Sequence, residues 1–140
     1  MPTGERANTR RQARERALSL LYEAEAKDAT PRAVLAELPV EPDRFVCELV
    51  EGVEDHAAEL DALITDHARG WSLDRMPAID RALLRMAIYE LAHRPDIPIG
   101  AAISEAVDLA RRYSTDDSSR FVNGMLSAIA KEVRASDTSD

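Results

Sequence analysis

The sequence predicts an all-α protein. Three observations carry the prediction. Apolar residues recur at three- and four-residue steps, proline and glycine interrupt the chain between those stretches, and only six of 140 residues are aromatic, with few of the alternating β-branched runs that strands need. A chain of this length buries roughly two thirds of its unfolded surface as one domain without disulfides or metals.

The first helix is expected from Asn8 or Thr9, either of which can cap it, to about Ala26, with its apolar half at the C-terminal end. Thr30-Pro31 then supplies a cap and a proline at the first helical position, opening a short helix through Leu38 that Pro39 closes. From Pro42 the positions Phe45, Leu49, Val53, Ala57, Leu60, Ile64 and His67 describe one long amphipathic helix ending at Gly70, with Gly52 as a point of weakness. The segment from Gly70 through Trp71 to Pro77 is the candidate joint between two bundles, about 9–70 and 76–133. Three more helices follow, carried by Ile79 to Leu91, Ala102 to Ala110 and Phe121 to Val133. His93 to Pro98 reads as a loop, and Ser114-Thr115-Asp116-Asp117 as the cap and acidic first turn of the last helix. Residues 1–8 are expected to be a flexible basic arm and 134–140 a disordered tail.

Composition narrows the chemistry. Cys47 is the only cysteine, so no intramolecular disulfide forms, and its setting in Phe45-Val46-Cys47 reads as a small core residue. No apolar signal core or run near 18 residues is present, so the expectation is a cytoplasmic protein with no membrane span. His56 and His67 stand about 16 Å apart along a continuous helix, too far to share a metal. Glu51, Glu54, Asp55 and Glu59 on the same helix read as a solvated acidic stripe. The hydroxyls of "STDDSSR" have no histidine nearby, and the five glycines are scattered singly, so no phosphate-binding loop is present. No catalytic residue, metal or cofactor is expected.

Charge is distributed unevenly. Residues 1–16 hold five arginines against Glu5 and Glu15, a net charge of +3, which leaves −11 for the rest of a chain whose total is −8. Arg10, Arg11, Arg14 and Arg16 wrap about half of a helix circumference, with Arg6 before them. At the start of a helix such charges oppose the dipole by up to about 1 kcal/mol each, which favours a compensating anion. Planar guanidinium forks suit phosphate and base edges, and arginine-rich segments order on RNA.

The stretches "RRQARERALSLLYEAE" (10–25), "DRALLRMAIYEL" (80–91) and "AISEAVDLARRYSTDDSSRFVNGMLSAI" (102–129), in that order, resemble the NusB family of bacterial transcription antitermination factors. The resemblance covers about residues 9–133, and "HARGWSLDRMPAIDR" (67–81) is similar to its actinobacterial branch. It implies two roughly perpendicular helical bundles forming one domain of about seven helices. It also implies that the chain pairs with the small-subunit ribosomal protein NusE and binds single-stranded boxA RNA, within an antitermination complex on RNA polymerase that serves ribosomal RNA operons and ribosome assembly.

The resemblance places RNA contacts on Arg10, Arg11 and Arg14, with Arg6 and Arg16 beside them and Gln12 interrupting the basic run. It adds Asp117 and Phe121 as base contacts and Arg120 as a phosphate contact, although the same segment also reads as a capped core helix. For NusE it implies Tyr22, Asp80, Arg81, Leu84 and Glu90, while Tyr22 and Tyr89 equally suit the edge of a core. Gly124, inside a helix, reads first as a site of close helix approach. Two other readings stand beside this one. The chain can be a structural homodimer that packs its arginine helix on an acidic face of a second copy, or an isolated relative of the NusB-like domain fused to rRNA cytosine methyltransferases. The latter lacks support from any glycine-rich cofactor loop in the sequence.

Overall fold

The computed structural model describes residues 3–69 and 72–134, with side chains from residue 9 onward. Among them are seven α-helices and one 3-10 turn, and no strand. The helices are α1 (Thr3–Ala26), α2 (Pro31–Ala36), α3 (Arg44–Asp55), α4 (Ala57–His67), α5 (Ala78–His93), α6 (Ile99–Tyr113) and α7 (Asp116–Val133); the 3-10 turn is Leu73–Arg75. Packing divides the chain into two compact units, Met1–Asp55 and His56–Asp140. Gly70 and Trp71, in the expected joint, lie outside the described residues, as do residues 135–140 and the side chain of Arg6.

In the first unit, α1 begins at Thr3, earlier than the expected cap at Asn8 or Thr9. The arginines from Arg10 onward therefore stand beyond the first turn, where the dipole no longer acts on them appreciably, and the unfavourable-end argument for a bound anion falls away. Buried Ala13, Ala17, Leu18, Leu21 and Ala24 form the inward stripe of α1. Asp28, at φ 54°, ends the helix in the left-handed conformation that Asp tolerates better than most residues, with Ala29 N–H donating to the Ala24 carbonyl at 2.8 Å. Thr30 caps α2 as its sequence predicts: its Oγ1 accepts from Ala33 N–H at 3.1 Å, and Pro31 fills the first helical position. Arg32 then reaches α3, donating to both carboxylate oxygens of Asp55 at 2.6 and 3.1 Å, an ion pair that raises the guanidinium pKa further. Cys47 is only half-buried, yet burial, followed by neighbouring Glu41, Glu51 and Asp43, pushes its thiol pKa up and keeps it protonated near neutrality.

The long helix expected from Pro42 to Gly70 is instead two helices. They part at His56, four residues after Gly52, where φ −113° and ψ 20° leave the helical region. The division between compact units also falls here, upstream of the Gly70–Pro77 segment, because α4 packs with α5 and α7. Asp61 accepts from Arg85 at 2.7 and 3.2 Å, and Leu60 and Ile64 are buried beneath.

In the second unit α5 is the central helix. Ten of its sixteen residues are buried, from Asp80 to Leu91, as expected of a helix apolar on nearly all sides. Buried Ala102, Ala106, Leu109 and Ala110 of α6 and Val122, Met125, Leu126 and Ile129 of α7 complete the three-helix core. Two polar ties set the register of α5 against α7. Near the first turn of each, Ser118 Oγ donates to buried Asp80 Oδ2 at 2.7 Å while accepting from Ser114 and Thr115 hydroxyls at 3.0 Å. Beyond their ends, Arg134 donates Nε to the Leu91 carbonyl at 2.9 Å and Nη2 to the Arg94 and Glu90 carbonyls at 2.9 and 3.3 Å. Start meets start and end meets end, so α5 and α7 run parallel. Arg134, assigned to a disordered tail on sequence, is thus a buried cap at the end of α5: it serves the Leu91 carbonyl and adds a second donor to the Glu90 and Arg94 carbonyls, which also accept from Arg94 and Ile97 N–H.

Two outcomes test this packing. Ser118→Ala leaves the Asp80 carboxylate, whose Oδ1 already lacks a hydrogen-bond partner, buried without its donor. It should lower unfolding free energy by about 2–3 kcal/mol in urea denaturation. Gly124, expected at a close helix approach, is exposed, and a Cβ there meets nothing within 4 Å. Gly124→Ala should therefore stabilise the chain by about 0.5–1 kcal/mol in the same measurement.

Candidate nucleic-acid interface

The arginines of α1 divide by face. Arg14 falls on the inward stripe with Ala13 and Ala17 and is only 4% exposed. Its guanidinium and that of Arg10, one turn earlier, each lie 5.6 Å from the ring centroid of Phe45, at the start of α3. A cation over an aromatic face contributes about 0.5–2 kcal/mol, more when desolvated, so this pair holds α1 to α3. Arg14 is accordingly corrected from RNA contact to structural anchor, and Arg10 is half-buried beside it.

Arg11, Gln12, Arg16, Ser19 and Tyr22 are exposed. Steps of three and four residues from Gln12 through Arg16 and Ser19 to Tyr22 make these one continuous outward stripe. Tyr22 is 45% exposed, whereas Tyr89 is buried. The α1 surface thus offers two guanidiniums, an amide and a phenol ring along one face.

The second candidate surface starts at α7. Thr115 caps the helix by accepting from Ser118 N–H at 3.0 Å, which fixes the first turn and points Asp117 and Arg120 outward, 95% and 80% exposed. Their side chains stand 3.8 Å apart as an i, i+3 ion pair, which at such exposure is readily exchanged for another anion. Phe121 is half-buried, between the core and base-contact expectations. Beside it α6 and α7 enclose an open groove of about 440 Å³, with Arg111 and Arg120 at its edges and Ser104, Asn123 and Val107 along it. Two exposed cations, a hydroxyl, an amide and an apolar surface can hold a phosphate and the flat face of a base. Arg111 and Asn123 were missed on sequence. The signal was present, since Arg111-Arg112 closes α6 shortly before "STDDSSR" in the chain.

The residues expected to meet NusE fare differently. Asp80, Leu84 and Glu90 are essentially fully buried in α5 and offer a partner no side-chain surface. Arg81 is half-buried, and its Nη1 donates to the carbonyls of Leu73, Asp74 and Met76, capping the 3-10 turn. Those four belong to the packing of α5; Tyr22 is the exposed member of the set. The apolar residues on nearly every side of α5 were the readable signal that this helix is interior.

A model of the NusB family matches residues 11–131. The chain belongs to the NusB family. The transcription antitermination protein NusB of the actinobacterium Salinispora arenicola is 51% identical, over 87% of this chain and 95% of that protein. Among solved structures, NusB of T. maritima superposes with a TM-score of 0.78 at 36% identity, covering 88% of this chain and 91% of that one. A structure of antitermination factors NusB and NusE in complex with dsRNA superposes with a TM-score of 0.71 at 29% identity, covering 88% and 96%. The all-helical NusB fold expected from the motifs is therefore the observed one, and the family match spans both compact units. No helix among the described residues is long and apolar enough to cross a membrane.

The two classes of arginine on α1 separate by experiment. Arg14→Ala should lower stability by about 1–2 kcal/mol in thermal or urea unfolding, whereas Arg11→Ala and Arg16→Ala should stay within about 0.5 kcal/mol of the parent chain.

Proposed function

We propose that this chain is a transcription antitermination factor that binds single-stranded boxA RNA together with NusE, as part of a complex on RNA polymerase that promotes transcription of ribosomal RNA operons and ribosome assembly. Its role is binding, without a catalytic step, and its place is the cytoplasm. The reading rests on one observation above others: a NusB-family chain presents exposed arginines on both α1 and the α6–α7 groove, and a structural relative is described in a complex with NusE and RNA.

Arg11 and Arg16 on α1, and Arg111 and Arg120 at the groove, supply the phosphate contacts in this proposal, with Arg6 joining the α1 set. Arg10 contributes at the edge, where its position over Phe45 limits its reach. Asp117 accepts from an exocyclic amine and the accessible part of Phe121 stacks on an unpaired base. Tyr22 serves the NusE side, and because it continues the Arg11–Arg16 stripe, protein and RNA would meet on adjoining parts of α1. A net charge of −8 confines RNA attraction to these patches.

The test is RNA binding across a salt series. Affinity for a boxA-containing strand should fall steeply with salt and rise when NusE is added. The double variant Arg111→Ala/Arg120→Ala should lower the slope of log K against log salt by about 1.4, the value for two lost phosphate contacts on a single strand. Equal affinity for shuffled or duplex RNA with NusE present would overturn the reading.

A further inference from the structure

The break between α3 and α4 places a group of side chains that neither the core nor the RNA surface uses. His56 stands at the N-terminus of α4 but makes no side-chain cap. Instead its ring stacks on that of His93, the last residue of α5, with centroids 3.9 Å apart and planes 25° from parallel. Glu59, in the first turn of α4, aims one carboxylate oxygen at both: Oε1 is 2.8 Å from His93 Nε2 and 3.4 Å from His56 Nδ1. The buried ring of Tyr89 backs the pair, 5.4 Å from His93 and 5.9 Å from His56. All four residues belong to the second compact unit.

We propose that His56, Glu59 and His93 form a Zn²⁺ site. Two imidazoles and one carboxylate are the donor set of a borderline divalent ion, with too few oxygens for Mg²⁺ or Ca²⁺. The three ligand atoms lie within 4.8 Å of one another. Around tetrahedral zinc, with bonds near 2.0–2.2 Å, donors stand about 3.3 Å apart. The two separations to Glu59 bracket that value, and the widest pair needs to close by no more than about 1.5 Å. Imidazole lone pairs lie in the ring plane, so binding turns the two rings out of their stack until both point at the ion. All three side chains are partly exposed, His93 at 29% the least, which leaves room for that rotation and a fourth position for water. A bound ion replaces the proton between His93 and Glu59 and ties the first turn of α4 to the last turn of α5. The site is independent of the RNA-binding proposal.

The chain has three histidines, which makes the test specific. His67, the third, instead faces the Leu63 carbonyl and Glu132. Untagged, chelator-treated full-length protein is titrated with Zn²⁺ against a chromophoric chelator. One ion per chain is expected, with affinity weakened more than about tenfold by His56→Asn, His93→Asn or Glu59→Gln and unchanged by His67→Asn. In the unmodified protein, NMR signals of the His56 and His93 rings should move on adding Zn²⁺ while those of His67 stay, a readout that does not depend on any variant folding. Absence of saturable uptake, affinity insensitive to His56→Asn and His93→Asn, or an equal response of His67 would overturn the site and leave a metal-free histidine stack.

Discussion

The second unit depends on the registration of α5 against α7. Both ties are made by polar groups taken out of water, Asp80 to Ser118 at one end and Arg134 to three carbonyls at the other. Hydrogen bonds to charged groups contribute about 1.5–3 kcal/mol, and losing one partner costs as much again because the other stays buried. Apolar packing alone allows two helices to slide by a turn with little change in buried area. Ties at both ends forbid it, since a one-turn slip would orphan the Asp80 carboxylate and the guanidinium together. With α7 fixed, its capped first turn always presents Asp117 and Arg120 to solvent, and α6, packed beside both helices, completes the groove at Arg111. The candidate RNA surface is thus a consequence of buried electrostatics on the opposite face of the same helix.

Arginine performs two unlike tasks in this chain. Arg14, Arg81 and Arg134 use the guanidinium as a structural cross-link, over an aromatic ring or onto backbone carbonyls at helix ends. Arg11, Arg16, Arg111 and Arg120 present it to water. The planar, permanently charged group suits both roles: its weak hydration lets it be buried, and its fork still meets phosphate when exposed. A count of arginines in the basic segment therefore overstates the charge that segment offers a ligand. The groove at α6 and α7 carries two further exposed cations, drawn from the acidic remainder of the chain.

Most helix boundaries were legible because they are decided locally. Thr30-Pro31 and Thr115 act through atoms three residues away, and proline excludes itself from helix interiors whatever surrounds it. The break at His56 was not legible. The residues on both sides carry good helical periodicity, and the ring contact with His93 that accompanies the break is made 37 residues along the chain. The same distance in sequence hid the cluster with Glu59, since a histidine assigned to a loop gave no reason to be paired with one on a helix. Arg134 failed for a similar cause: its polar neighbours in sequence resemble a tail, and only the carbonyls at the end of α5 make it a cap.

By itself the sequence determined the helical class, most of the helices, the caps that start α2 and α7, and the motifs of the NusB family, because these depend on the order of residues and on interactions within a turn or two. Only the tertiary structure decided which charges of those motifs face outward. Periodicity states which residues share a face of a helix, but not which face meets another helix. Arg11 and Arg14, or Asp80 and Asp117, are therefore alike in the sequence and opposite in the fold, one of each pair held in the protein interior and the other left to water.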